Sequence, residues 1–215
     1  MNPKGAKMTR GLITTPIPFR SIVRVTQPEV EPVSLFEVKQ HLGIMPEVAD
    51  DDDFLMGLIA SARIVVEERL YQTTMATQWR AKAFRWSSCS CRGIELPYPP
   101  VLWDDAEHTI QVRWTDADGN WQVADPANVM VDYEEIPGRL HIKQNIYDAC
   151  CESTATVTWW AGYRRPQDVP APIRTAIKRI VGACYSARGD TPEGILRRDP
   201  AVDSLLASCS ISGRY

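Results

Sequence analysis

Between Ser34 and Leu70 apolar positions recur with the spacing of a helix, and after Thr74 they switch to the alternation of a strand. Ser34-Leu35-Phe36-Glu37 reads as a capping box, in which the hydroxyl and the Glu37 carboxylate each take up a backbone N–H that a helix start leaves free. Leu35, Val38 and Leu42 share a face of the helix that follows, and Gly43 supplies its stop. A second amphipathic run, Phe54, Leu55, Leu58, Ile59, Ala62, Val65, Val66 and Leu70, fits a period of about 3.6 residues over about five turns. Ahead of it stand Asp50, Asp51, Asp52 and Asp53. Carboxylates are calcium's preferred ligands, but consecutive acids lack the alternating spacing and closing glutamate of a calcium loop. They are better read as a helix start, capping free N–H groups and complementing the dipole.

From about Thr74 to Trp160 the alternation predicts strands at Thr77–Phe84, Gly93–Leu96, Thr109–Trp114, Trp121–Ala124, Val129–Tyr133, Arg139–Lys143 and Thr154–Trp160. The third and fourth, joined around Asp118-Gly119, form a hairpin, and Pro137-Gly138 marks another turn. Upstream, Ser21–Thr26 is strand-like. Helical spacing returns after Pro170-Ala171-Pro172, where Ile173, Ala176, Ile177, Ile180, Val181, Cys184 and Tyr185 form a stripe that Gly189 ends. Val202, Leu205 and Leu206 suggest a final turn. The expected fold is α+β: a bundle of two N-terminal helices and a C-terminal helix, with an inserted antiparallel sheet or small barrel. Its parts are an extended arm over 1–30, a helical core over 31–73 and 164–206, the β-rich region over 74–163, and a tail over 207–215.

Charge changes this picture in two places. Residues 1–28 carry Lys4, Lys7, Arg10, Arg20 and Arg24 and no acid, so the arm is either a disordered tail with an edge strand or a segment that pairs with a partner. Residues 29–70 hold ten acids and three bases, whereas 163–198 hold eight bases and three acids. Such faces attract each other within one fold or between copies in a ring. The net charge of −3 gives no strong overall pull toward nucleic acid or membrane. No apolar run approaches the roughly 18–20 residues of a membrane span, and the basic N-terminus lacks the apolar stretch of a secretory signal. A chain made in the cytoplasm is expected, with its thiols reduced.

Candidate chemistry is sparse. Cys89 and Cys91, Cys150 and Cys151 lack the spacing of structural zinc ligands; free thiols are the better reading, as they are for Cys184 and Cys209. His41, His108 and His141 stand apart from any zinc-protease arrangement. Ser88 has no base beside it in sequence, and Glu134-Glu135 and Asp104-Asp105 read as solvated pairs. No cofactor or metal is implied. All seven tryptophans fall between Trp79 and Trp160. Trp79, Trp114 and Trp159 suit a core, while Trp103 and Trp121, in or beside loops, suit contacts with another chain. A stacking surface for nucleic acid would need clustered bases, which the β region does not show in sequence.

Pro32-Val33-Ser34-Leu35-Phe36-Glu37-Val38-Lys39-Gln40-His41-Leu42, the acidic run and the long helix resemble the opening of phage head–tail connector (adaptor) proteins, with their P-V-S-L-x-E-x-K-x-H-L helix. Thr77-Gln78-Trp79-Arg80 resembles the family's next strand, and Ile94 to Val101 its I-x-L-P-x-P-P-V turn. Val157 to Tyr163 and Val169 to Ile177 are similar to its closing strand and last helix, so the likeness runs from about Pro32 to Tyr185. The basic arm, the loop Ser87–Cys91 and the tail after Gly189 depart from it. The resemblance implies a virion protein without catalysis, a subunit of a ring (usually twelvefold) below the portal protein. It would extend the DNA channel, through which DNA passes without specific binding, and dock a downstream neck or tail protein, with no membrane partner. By that analogy Leu205, Leu206, Ile211, Arg214 and Tyr215 would engage the portal. Arg63, Glu67, Arg174, Lys178 and Arg179 would lie between subunits, and Asp50, Asp51, Asp52 and Asp53 would face the lumen. Rival readings are another neck completion protein, a β-rich module binding ligand through surface tryptophans, and a small hydrolase using Ser88 or a cysteine.

Overall fold

The structure, a computed structural model, describes residues 19–84, 93–103, 107–116, 118–142, 154–187 and 199–211. Apolar side chains collect in two cores, one made by helices and one by strands. Helix α1 (Leu35–Leu42) starts as expected: Ser34 Oγ accepts from the Glu37 N–H at 3.2 Å, and the Ser34 N–H donates to Glu37 Oε2 at 3.0 Å. Gly43 closes it in the left-handed conformation, φ 72°, which costs glycine no steric strain. In α2 (Asp52–Leu70), Leu55, Ile59, Ala62, Val66 and Leu70 are buried. Phe54 and Val65, expected on that stripe, are 43% and 36% exposed, so the apolar face is narrower than its composition suggests. Helix α3 (Ala171–Ser186) begins with prolines and buries Ile173, Ala176, Ile177 and Val181. Where a single final turn was expected, Asp199 caps a fourth helix, α4 (Pro200–Ala207), by accepting the Ala201 N–H at 2.9 Å. Each of these four α-helices contributes to the helical core. Gly189, the expected stop of α3, lies outside the described residues. No helix among the described residues is long and apolar enough to cross a membrane.

The strands are β1 (Phe19–Arg24), β2 (Thr77–Phe84), β3 (Ile94–Glu95), β4 (Val101–Leu102), β5 (Gln111–Thr115), β6 (Trp121–Val123), β7 (Val129–Asp132), β8 (Arg139–Ile142) and β9 (Thr154–Ala161). All pair antiparallel. One sheet has the order β1-β2-β9-β5-β6, and a second is β3-β8-β7. Strand β9 organises the first: it pairs with β2 from Thr77↔Ala161 to Phe84↔Thr154, and its other edge takes β5 and then β4 end to end. Sheet rather than barrel is the outcome, because β1 and β6 remain separate edges among the described residues and closure would require edges to pair.

Alternation along these strands separates core from solvent. Trp79, Ala81, Val112, Ala155, Val157, Trp159 and Ala161 point into the β core, with Trp159 fully buried and Trp79 stacked on Tyr98 at 4.2 Å. Trp114 packs partly against this core as expected. Trp103, expected beside Trp121 at a contact surface, also packs partly against that core, whereas Trp121 is 56% exposed. Trp86 lies outside the described residues. The helical and β parts are stitched together after α2: the Thr73 N–H donates to the Pro99 carbonyl at 3.0 Å and the Ala76 N–H to that of Tyr163 at 2.9 Å. Gly162 lies at that seam with φ 104°, and a Cβ there would stand 2.4 Å from the Met75 carbonyl oxygen. This is why glycine ends the Trp159-Trp160-Ala161-Gly162 segment.

Candidate functional site

A buried charge network anchors β1 and the segment after α2 to the helices. Glu67, 3% exposed, accepts through Oε2 from Arg24 at 2.6 Å and Arg63 at 3.0 Å, and through Oε1 from the Thr74 N–H at 2.9 Å and hydroxyl at 2.8 Å. Arg63, 2% exposed, also donates from Nε to Glu31 at 2.8 Å. Every lone pair this carboxylate needs to use is engaged, which makes its burial tolerable. The connector resemblance would place Arg63 and Glu67 between subunits. Instead they face inward, because Arg24 and Glu31 arrive from before α1 to complete the set.

The aspartate run splits into two pairs. Asp51 stands at the N-cap of α2 without a capping hydrogen bond from its side chain; it accepts from the Tyr185 hydroxyl at 2.7 Å, tying α2 to α3. Asp52 meets Lys39 at 2.5 Å, and that buried ammonium also donates to the carbonyls of Val48 at 2.7 Å and Pro46 at 3.2 Å. The side-chain capping expected of the run is therefore not its main use, although Asp52 and Asp53 still complement the helix dipole. Asp50 and Asp53 remain exposed, as does Glu47. Beside them Met45, Val48 and Phe54 are 71%, 47% and 43% exposed. Lys39 thus holds a rigid corner that presents acids and apolar side chains together. Among the described residues no three His, Cys, Asp or Glu side chains are placed to share a metal ion.

Basic side chains of α3 are largely satisfied within the chain. Arg174 pairs with Glu37, and Arg179 meets Asp199 at 3.0 Å, while Lys178 is half-buried. Partial burial pushes the Glu37 carboxyl up, but hydrogen bonds from Ser34 and the adjacent Arg174 charge outweigh it and leave the group below its ordinary value. Part of the charge asymmetry seen in the sequence is accordingly spent inside one fold. Leu206, expected at a portal, is buried in the helical core and Leu205 packs against it. Ile211 lines an apolar hollow of about 390 Å³ with Pro100, Ile136, Tyr163, Pro170 and Cys209. Arg214 and Tyr215 lie outside the described residues, as do Ser88, Cys89, Cys91, Asp104, Asp105, Cys150, Cys151 and the arm before Phe19. Burial raises the Cys184 thiol above its ordinary value, which disfavours the nucleophilic thiolate.

The solvent face of the larger sheet forms a trough of about 610 Å³ whose lining includes Val23, Val25, Arg80, Lys82, Arg113 and Trp121 and no acid. The Arg113 guanidinium lies over the Trp121 ring, 5.1 Å from its centroid. Sequence reasoning missed this surface. Its cations stand on β2 and β5, and β9 brings those strands to within one strand of each other. The available signal was modest: Arg80, Lys82 and Arg113 all occupy outward positions of alternating strands.

These elements define a mixed α+β chain whose distinctive surfaces are paired charged and apolar patches. No protein-family profile matches the sequence, and no curated protein is significantly similar to it. Solved structures do match. A chain from the virion of a native gene transfer agent particle is similar over 90% of this chain and 99% of its own, with a TM-score of 0.67 and 17% identity. A chain from the neck of the empty particle, computed with C6 symmetry, gives 0.63 over 91% and 100% at 17% identity. One from the neck of the native particle, computed with C12 symmetry, gives 0.62 over the same shares at 18% identity. At such identity the likeness is one of fold.

Proposed function

We propose that this chain is a structural adaptor subunit in the neck of a tailed phage or gene-transfer particle. It forms a ring below the portal protein, its partners being further copies of itself, that portal and a downstream neck or tail protein. Its task is mechanical: to continue the DNA channel and offer a docking platform, without a catalytic step. The observation that carries this reading is the fold match, which spans nearly the whole of this chain and of neck chains from a gene transfer agent particle. The order of the connector-like motifs from Pro32 to Tyr185 supports it independently.

Within this reading the portal-binding segment moves toward the end of the chain. Leu205 and Leu206 are occupied in the helical core, so Ile211, Arg214 and Tyr215 are the residues left to engage the portal. A twelvefold ring is the expectation, in keeping with a C12 neck among the similar structures. The test is copy number in purified DNA-filled particles, by quantitative mass spectrometry against the portal protein. The expected result is one copy per portal chain. Absence from particles, or hundreds of copies per particle, would sink the proposal.

A further inference from the structure

The trough on the larger sheet and the corner before α2 are opposite in charge and alike in apolar content. The trough exposes Arg80, Lys82 and Arg113, and among the described residues none of these is ion-paired. Val23, Val25 and Trp121 stand among them, 43%, 41% and 56% exposed. The corner exposes Glu47, Asp50 and Asp53, also without ion-pair partners among the described residues, beside Met45, Val48 and Phe54. Both surfaces are pre-organised: the trough by sheet pairing across β9, the corner by the buried Lys39 ammonium that grips Asp52 and the loop carbonyls. Rigid patches lose little entropy when they dock.

From this complementarity we infer that the trough of one copy receives the acidic corner of the next. The inference rests on the ring reading above and deepens it by naming the interface. Two different patches of one chain that bind each other make a head-to-tail contact, and such contacts repeat until a ring closes. Three cations facing three anions would set register and suppress a face-to-face pairing of like patches, while the apolar side chains supply burial. DNA is the less fitting occupant of the trough. A phosphate backbone would use the cations but leave Val23 and Val25 against a charged surface, and it offers no use for the matching corner.

Charge-swap variants in particles test this. Arg80→Glu with Arg113→Glu, and separately Glu47→Lys with Asp53→Lys, should each lower incorporation by at least about tenfold relative to portal, because like charges then meet across the contact. Placing all four substitutions in one chain should restore incorporation. Purified variants are checked for an unchanged thermal midpoint, and Arg80→Gln with Arg113→Gln serves as a milder version where the reversal unfolds the protein. If wild-type protein is present at portal-matched copy number and both pairs of variants enter particles equally well, the interface is wrong and the ring reading survives. Loss in both without rescue in the fourfold variant would show that the patches serve other partners, which also overturns the pairing. Normal copy number with altered DNA release from Glu47→Lys, Asp53→Lys particles would put the corner in the channel. Absence of the wild type would remove the ring reading and the inference together.

Discussion

Helical and β regions handle charge in opposite ways. In the helical part charge is drawn inward: Lys39, Arg63 and Glu67 are all nearly inaccessible, and each is held by several partners. In the β part, among the described residues, the core cluster is apolar and the buried polar side chains on its strands are the neutral Thr77 and Thr156, while Arg80, Lys82 and Arg113 stay on the solvent side. The contrast follows from geometry. Loops and strand ends converge on a helix from several directions and can surround a buried ion with donors, whereas the interior face of a sheet offers little except side chains. Buried charge in the helical part fixes shape, whereas the trough's cations, like the acids of the corner before α2, stay exposed for contact.

Breaking the helical network should have the largest effect. Glu67→Ala leaves Arg24 and Arg63 without their shared carboxylate and is expected to cost about 3–5 kcal/mol in chemical denaturation. A β-core truncation, Trp159→Ala, should cost a similar amount, about 3–5 kcal/mol, by a different route, the loss of packing. Ser34→Ala removes the reciprocal cap of α1 and should cost about 1 kcal/mol. Arg113→Ala on the trough should shift stability by less than about 0.5 kcal/mol, so a loss of that variant from particles would report on contact and not on folding. A large stability loss there, or a negligible one at Glu67, would erase the contrast between the regions.

The contrast sharpens with pH. Glu37 lies below its ordinary value near 4.5, so the folded state holds its proton less tightly than the unfolded chain. Its contribution is therefore present above that value and is lost as pH falls through the lower, folded-state titration. Wild type and Glu37→Gln should differ most in denaturation midpoint near neutral pH and converge in acid. A gap that widens on acidification would reverse the sign and refute the pairing with Ser34 and Arg174.

Much of the fold was legible because it is locally encoded. The capping box at Ser34, the β2 span Thr77–Phe84, the hairpin around Gly119 and the prolines opening α3 each depend on residues close in sequence. Strand β4 was not, since two residues after a proline turn carry no period and pair only because β9 has a vacant edge there. The tightest misreadings concerned charge. The family analogy would put Arg63 and Glu67 between subunits, and the aspartate run reads as a helix start, where Asp51 does stand at the N-cap; only the approach of Arg24, Glu31, Lys39 and Tyr185 gives these side chains their partners.

By itself, then, the order of residues determined the helices, most strands and the separation of a helical from a β-rich part, because backbone preference and hydrophobic period act over a few neighbouring positions. Tertiary structure alone decided which charges are buried, whether the sheet closes, and that Arg80, Lys82 and Arg113 share one trough with Trp121. Those outcomes depend on which segments, distant along the chain, come within a few ångströms of each other, and no local period records that distance.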